Sequence, residues 1–306
     1  MPETVTIKVP ATSANCGPGF DSIGLACTLY NTLTLSIMEN TGIRLDATGH
    51  GQGMLKPSER NFAVKAIRRV LHELGYYNTG ISIKMHNDIP MSRGLGSSSA
   101  AIVGGMTAAN ALLGNKLSKE DIFALATEEE GHPDNVAPAI YGGITVSIME
   151  NGKPYCIKIA PPDDLQMIAL VPDFPLSTKQ AREALPQSLD FKDAVFNVSR
   201  VAFFVAAMCQ NDMGYMDMAL SDKLHQPYRS KFIPGMNKVF SAAKGAGALG
   251  CFISGSGSTL MAFAKKSADG DIIGKSMLNE LIKISKNGVY HLLDFDNDGA
   301  LLINSQ

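Results

Sequence analysis

The sequence predicts an α+β chain of two lobes, and three observations carry that reading. Short β-like runs and segments of helical period interleave in both halves of the chain. A turn-rich break, Pro161-Pro162-Asp163-Asp164, parts two periodic regions and divides the chain into residues 1–160 and 161–306. The length of 306 residues suits two domains of ~100–200 residues each.

Taken in order, Val5–Val9, Tyr30–Ile37, Ile43–Thr48 and Ile81–Met85 read as strands set between glycine turns. Asn61–Leu74 carries Phe62, Val64, Ile67, Val70, Leu71 and Leu74 at helical spacing, and Gly75 stops it. Ala100–Leu113 is apolar almost all round, the mark of a buried helix, and ends at Gly114. Ser118-Lys119-Glu120-Asp121 opens a further helix that runs to Glu130. Gly142–Ile148 is a turn entering a strand. Beyond the break come a strand at Leu165–Val171, helices around Lys179–Leu185 and Phe191–Cys209, and a strand through Cys251–Phe263. A helix at Ile272–Ser285 and a strand at Val289–Leu293 follow. The stripe Val195, Val198, Ala202, Val205 and Cys209 has a helical period and reads most simply as core, with a homodimer interface as the alternative.

Composition narrows the class. Hydrophobic residues make up 45%, enough for a core and too many for a coil that folds only on binding. A net charge of −2 removes the electrostatic case for nucleic acid or a polybasic membrane contact as partner. The start, Met1–Lys8, lacks a basic segment followed by an apolar run, so no leader is expected. Asn197, Ser199 and Arg200 interrupt the most apolar stretch, Ala194–Cys209, which falls short of the ~20 residues of a membrane span. Five scattered cysteines without a C-x-x-C pair imply reduced thiols and a cytoplasmic location. The histidines show no metal-binding spacing, so a protein metal cage is not expected. Glycine, 29 residues, is in surplus and clusters, which directs attention to its loops.

The densest cluster is Pro90-Met91-Ser92-Arg93-Gly94-Leu95-Gly96-Ser97-Ser98-Ser99-Ala100-Ala101. Two glycines turn the backbone, and small serines open a helix whose first N–H groups lack intrahelical partners. Such a helix start is an anion site, and serine hydroxyls suit Mg²⁺. The plain alternative is a capped helix after a turn. The Walker pattern is absent. Taken whole, the string P-x-x-x-G-L-G-S-S-x-A resembles the phosphate loop of the GHMP kinases. Two further strings match that family in its order: Pro10-Ala11-Thr12-Ser13-Ala14-Asn15-Cys16-Gly17-Pro18-Gly19-Phe20-Asp21, and Ser254-Gly255-Ser256-Gly257-Ser258-Thr259. Within the family the first string resembles the homoserine kinase branch. So do Glu130-Gly131-His132-Pro133-Asp134-Asn135-Val136-Ala137-Pro138-Ala139, Leu176–Arg182 and His225-Gln226-Pro227-Tyr228-Arg229. Cys16 and Ser258 depart from the usual leucine and proline at positions that carry no chemistry.

The resemblance implies an N-terminal lobe like ribosomal protein S5 domain 2 and a ferredoxin-like C-terminal lobe, with ATP and substrate between them. It implies ATP-dependent phosphorylation of the L-homoserine hydroxyl in threonine biosynthesis. Pro90, Met91, Ser92, Arg93, Gly94, Leu95, Gly96, Ser97, Ser98, Ser99 and Ala100 would bind the nucleotide, with Mg²⁺ held by Ser98 and Glu130. Outside the resemblance, Glu128–Glu130 reads as a solvated helix face. Arg182 and Arg229 would take the substrate carboxylate, Thr178 adding a hydroxyl; two surface arginines in weak ion pairs are the other reading. Asp21 would meet the ammonium and Asn15 the hydroxyl, or both close turns. His132 is assigned substrate contact only. Asn61 is an N-cap or an adenine contact. Asn135 stands where mevalonate kinase-like members carry an aspartate base. Its carboxamide cannot take a proton, and the family's first-motif lysine is also missing, so in-line transfer without a dedicated base is expected. Two rival readings are a kinase of the same family for another alcohol, and a nucleotide-binding regulator without turnover.

Overall fold

The computed structural model describes residues 3–305. Met1 and Pro2, part of the string read as leaderless, and Gln306, the end of the second lobe, lie outside the described residues. In chain order the elements are β1 (Thr4–Ala14), β2 (Ile23–Met38), β3 (Ile43–Gly49), α1 (Phe62–Glu73), β4 (Gly80–Asn87), α2 (Ser97–Leu112), α3 (Lys119–Glu130), α4 (Val136–Tyr141), β5 (Ile144–Glu150) and β6 (Lys153–Ile159). Then come β7 (Leu165–Pro172), α5 (Thr178–Glu183), α6 (Phe191–Gln210), α7 (Met216–Ala219), α8 (Gln226–Arg229), α9 (Met236–Gly245), β8 (Gly250–Ile253), β9 (Leu260–Lys265), α10 (Gly270–Lys283), β10 (Gly288–Leu293) and β11 (Leu301–Ser305).

Local chemistry accounts for the helix starts. The Asn61 carboxamide accepts from the N–H groups of Ala63 and Val64 and caps α1. Ser118 and Asp121 form a reciprocal capping box on α3, and Gly131 ends that helix in the left-handed region. Helix α2 is buried along most of its length, including Ile102, Val103 and Met106, as a segment apolar on all sides requires.

Two sheets result. The larger has the order β11-β1-β2-β4-β3, and β5 extends it from the start of β2 and pairs in turn with β6. Only the β3–β4 pairing is parallel among the described strands. The smaller sheet has the order β10-β7-β9-β8, with all its pairings antiparallel. Its strands alternate between two cores, as a period of two demands. Met167, Ala169, Met261 and Phe263 join the core that holds Ile7, Leu25, Ile67 and Val103 of the first half. Ile168, Leu170, Leu260 and Ala262 pack instead with Val239 of α9 and with Ile273, Met277 and Leu281 of α10. At ~1.5–3 kcal/mol for each large apolar side chain buried, the shared face ties the halves firmly together.

Several features depart from the sequence reading. The strand expected through Cys251–Phe263 is a hairpin, because Ser254–Thr259 turns the chain back, with Gly255 and Gly257 at positive φ. Strands β6 and β11 carried no legible signal. Both lie at sheet edges and expose most of their side chains, so no clean alternation marks them. Strand β11 also returns to β1 of the first sheet, although the sheets otherwise fall on either side of residue 160. Most of the stripe read as core on α6 faces outward: Val195 is 53% and Val198 66% exposed, Ala202 and Cys209 are exposed too, and only Val205 of the five packs partly against the core. Apolar residues surround this helix, so period alone selects no face. The polar Asn197 decides it, donating to the Pro18 carbonyl at 2.7 Å and accepting from the Lys223 N–H at 2.9 Å. Phe204, Ala207 and Met208 are thereby turned inward. Among the described residues no helix is long and apolar enough to cross a membrane. All five thiols are unpaired.

Candidate active site

Main-chain hydrogen bonds join the three glycine-rich loops. The Gly255 N–H donates to the Ala14 carbonyl at 3.0 Å, the Thr259 N–H to Arg93 at 3.0 Å, and the Thr12 N–H to Leu95 at 3.1 Å. The Ser254 hydroxyl adds bonds to Gly94 O at 2.5 Å and to Ser13 Oγ at 2.8 Å. These contacts require bare backbone. A Cβ on Gly94 would stand 2.2 Å from the Ser254 carbonyl oxygen, and one on Gly96 would stand 1.9 Å from Thr12 Oγ1. Both glycines also hold positive φ, at 80° and 68°.

Beside these loops opens a cavity of about 540 Å³. Most residues singled out in the sequence meet there. From the phosphate-loop string, Met91, Ser92, Arg93, Gly94, Leu95, Gly96, Ser97 and Ser98 line it. Asn15, Asp21, Asn61, Glu130, His132 and Asn135 do so from the first half, and Thr178, Arg182 and Arg229 from the second. Pro90, Ser99 and Ala100 do not line it; all three are buried. Ser99 is nonetheless coupled to the site through Glu130. Gly96 is the N-cap of α2 and supplies no side-chain acceptor, so the first-turn N–H groups of Ser97 and Ser98 keep their affinity for an anion.

Glu130 ends α3, and its Oε1 accepts from Ser98 Oγ at 2.8 Å and from Ser99 Oγ at 3.0 Å. A carboxylate and hydroxyls are the hard oxygen donors that suit Mg²⁺, an ion that keeps waters and phosphate oxygens in the rest of its shell. Among the described residues no group of three or more His, Cys, Asp or Glu could hold a metal by itself. The residues present therefore fit a nucleotide-borne ion held at one side.

The opposite part of the cavity carries paired charge. Arg182 donates twice to Asp21, Nη2 to Oδ1 at 2.8 Å and Nη1 to Oδ2 at 3.0 Å, so α5 is tied to the loop after β1. Arg229 is buried; burial first, and then the charge of Arg182, push its guanidinium down to about 10, which leaves it cationic at neutral pH. Asn15 donates to the Gly255 carbonyl at 2.8 Å and accepts from the Asp21 N–H at 3.0 Å, so it closes the turn that presents Asp21. The Thr178 and Ser256 hydroxyls stand 3.5 Å apart across the cavity wall. Arg93 is bound to carbonyl oxygens, those of Pro172 at 2.9 Å and Asp173 at 2.7 Å, so it braces the loop against β7.

His132 Nδ1 lies 2.6 Å from Asp134 Oδ1. Burial alone would lower its pKa, but the Asp134 hydrogen bond and charge, helped by Glu130, outweigh that and raise it above 6.5. Stability from this pair is fully present below pH 6.5 and is lost as pH rises through the raised value. Melting temperatures followed from about pH 5 to about 9 should show this loss, and His132→Ala should remove that component. An unchanged pH dependence in the variant would refute the pairing.

Asn135 Oδ1 accepts from Thr12 Oγ1 at 2.8 Å, which turns the amide nitrogen of Asn135 to its other side. Gly96→Ala should displace Thr12 and free Asn135; in the reading proposed below, where Asn135 aligns the acceptor, kcat should fall by about 10-fold or more. A variant that folds with wild-type kcat would show that the Thr12–Asn135 alignment is not needed.

Sequence reasoning missed the wall that Met54, Leu55, Lys56, Arg60, Phe62 and Asn87 supply. These residues lie in the loop before α1, at its start and at the end of β4, and no motif marks them. The available signals were weak: Asn61 in the same stretch, and a basic pair in a loop. Asp134 was likewise missed as a site residue, although it is buried and bonded to His132.

Comparison with known proteins agrees with this geometry. Residues 61–143 match the GHMP kinases N terminal domain and residues 204–283 the GHMP kinases C terminal domain. The homoserine kinase of Moorella thermoacetica is 45% identical over 259 residues, 85% of this chain and 87% of its own. That of Carboxydothermus hydrogenoformans is 40% identical over 303 residues, 96% of this chain and 99% of its own. The crystal structure of homoserine kinase from Cytophaga hutchinsonii superposes with a TM-score of 0.91 at 32% identity, covering 99% of this chain and 98% of that one. Mevalonate kinase of L. major shares the fold, with a TM-score of 0.65 at 18% identity over 92% of this chain and 91% of that one. The chain belongs to the GHMP kinase family, on its homoserine kinase branch.

Proposed function

We propose that this chain transfers the γ-phosphoryl group of ATP to the side-chain hydroxyl of L-homoserine, making O-phospho-L-homoserine for threonine biosynthesis. The observation that carries the reading is the joining, in one cavity, of the uncapped α2 start with Asp21, Arg182 and Arg229. The first part suits a polyphosphate, and the second suits a zwitterion with one carboxylate and one ammonium.

In this reading the Gly94–Ser98 backbone cradles the phosphates, and Asn61 borders the nucleotide while capping α1. Ser98 and Glu130 hold Mg²⁺, which neutralises phosphate charge when bound. Asp21 takes the substrate ammonium, and Arg182 and Arg229 take the carboxylate, with Thr178 and His132 at their edges. Asn15 keeps Asp21 in place. Asn135 hydrogen-bonds the attacking hydroxyl and aligns it with the phosphoryl group. Its carboxamide accepts no proton, so the hydroxyl proton leaves late, passing to an oxygen of the transferred phosphoryl group and then to water as ADP departs, as a loose phosphoryl-transfer transition state permits. The same reading includes lobes at 1–160 and 161–306, a cytoplasmic location, and a homodimer formed through the exposed α6 stripe.

A coupled ADP-release assay with homoserine, serine, threonine, mevalonate and galactose tests the activity. Homoserine should give the highest kcat/KM, and failure to turn over homoserine would refute the proposal. Sedimentation of the wild type beside Val198→Asp tests the dimer.

A further inference from the structure

Arg229 is 2% exposed, yet it lines the cavity, so what holds it decides where its guanidinium points. Nη1 donates to the Gly255 carbonyl at 2.9 Å, and Nε to the Ala181 carbonyl at 3.4 Å. The remaining side-chain hydrogen bond is to His225, one helical turn earlier, whose Nδ1 lies 3.2 Å from Arg229 Nη1. His225 is closed off from solvent entirely. Its other nitrogen, Nε2, faces the Gly17 carbonyl at 2.7 Å and Asp222 Oδ2 at 3.5 Å.

This arrangement admits one tautomer. A guanidinium only donates, so Nδ1 must present its lone pair. A carbonyl and a carboxylate only accept, so Nε2 must carry the proton. Adding a second proton would set N–H against N–H inside the protein. Burial in the first place, with the charge of Arg229 overcoming part of the opposing pull of Asp222, holds the imidazole down to about 4. Asp222 also fixes the start of α8, because its carboxylate accepts from the N–H groups of Leu224, His225 and Gln226 at 2.8, 3.0 and 2.6 Å. The Phe20 ring completes the packing, with its centroid 5.3 Å from the imidazole, 5.2 Å from Arg229 Cζ and 5.6 Å from Arg182 Cζ. Gly17 and Phe20 belong to the loop that presents Asp21.

We propose that His225 is a positioning residue: a neutral, Nε2-protonated imidazole that connects the Gly17 carbonyl to Arg229 and sets the aim of that guanidinium toward the substrate carboxylate. The proposal rests on the reading of Arg229 as a carboxylate anchor. It couples two ends of one site, because the loop that presents the ammonium partner also supports, through His225, the carboxylate partner. An apolar side chain of similar bulk would preserve packing and lose that support.

Steady-state kinetics of His225→Leu and His225→Asn test it. An Asn places its Oδ1 near the position of Nδ1, so it still accepts from Arg229; Leu does not. His225→Leu should raise the KM for homoserine by about 10-fold or more and leave the KM for ATP within about twofold. His225→Asn should recover part of that loss, because it keeps the acceptor for Arg229 and gives up the donor to the Gly17 carbonyl. Equal effects on both substrates, or an Asn variant no better than Leu with both melting like wild type, would overturn the proposal. Should the Leu variant fail to fold, ¹⁵N chemical shifts of the wild-type imidazole provide an independent reading. They should show an unprotonated Nδ1 and a protonated Nε2, and a proton on Nδ1 would overturn it. The tautomer measurement uses no substrate, so it stands apart from the identity of the phosphoryl acceptor. A wild type inactive on homoserine would sink the proposed function and leave the tautomer result intact.

Discussion

Arg182→Leu should raise the KM for homoserine between about 10- and 150-fold and leave the KM for ATP within about twofold, since a hydrogen-bonded charge pair contributes ~1.5–3 kcal/mol. Without substrate, Arg182 and Asp21 satisfy each other through two bonds, at 2.8 and 3.0 Å. In the proposed reading an entering amino acid exchanges that pair for two new ones, its carboxylate taking the guanidinium and its ammonium taking the aspartate. A molecule with only one of the two charges would break the bridge and leave one partner unmatched, so the pair favours zwitterions. Stability should change little. Both side chains are more than a third exposed, at 38% and 36%, and a solvent-screened pair of this kind contributes ~0–1 kcal/mol. Steady-state kinetics and a thermal melt of the same preparation check both halves of this prediction. Equal losses for homoserine and ATP would refute the carboxylate assignment.

Glu130→Gln should lower kcat by about 10²–10³-fold, the cost expected for losing one preorganised charge at a phosphoryl-transfer site. The substitution is well suited to separating chemistry from folding. A glutamine carbonyl oxygen still accepts from Ser98 and Ser99, so the link between α2 and α3 persists and the melting temperature should hold. What disappears is the negative charge. The Mg²⁺ concentration for half-maximal rate should rise in the same variant. If kcat falls but the Mg²⁺ dependence stays as in wild type, Glu130 serves the loop rather than the ion.

How far the site was legible depends on how local each part is. Gly94 and Gly96 announce themselves because their positive φ and near-contacts exclude a side chain, and that demand is written at single positions. The N-cap at Asn61 and the capping box at Ser118 and Asp121 are equally local, since donor and acceptor lie within three residues. Arg182 and Asp21 are separated by 161 residues, and Arg229 is held by carbonyls from two other segments. Resemblance could group those residues, but nothing in their own neighbourhoods announces the pairing. The loop before α1 shows the same limit, because Met54, Leu55 and Lys56 become a cavity wall only when α1 docks beside α2.

Helix α6 marks the boundary from the other side. Its period showed a helix and could not show its orientation, because apolar residues occur on every face and the free energy of burial does not distinguish them. One carboxamide with partners on two other segments settled the matter.

Sequence alone determined the two-lobed α+β class, the three glycine strings and the capped starts of α1 and α3, since backbone preference and amphipathic period act over a few residues. Tertiary structure alone decided that the Asp21–Arg182 bridge forms, that His225 stands behind Arg229, that β11 rejoins the first sheet, and which face α6 buries. Each of those depends on a hydrogen bond or a packed surface whose two sides lie far apart in the chain. Such a contact acquires its energy only once the fold has brought the sides together and excluded water from between them.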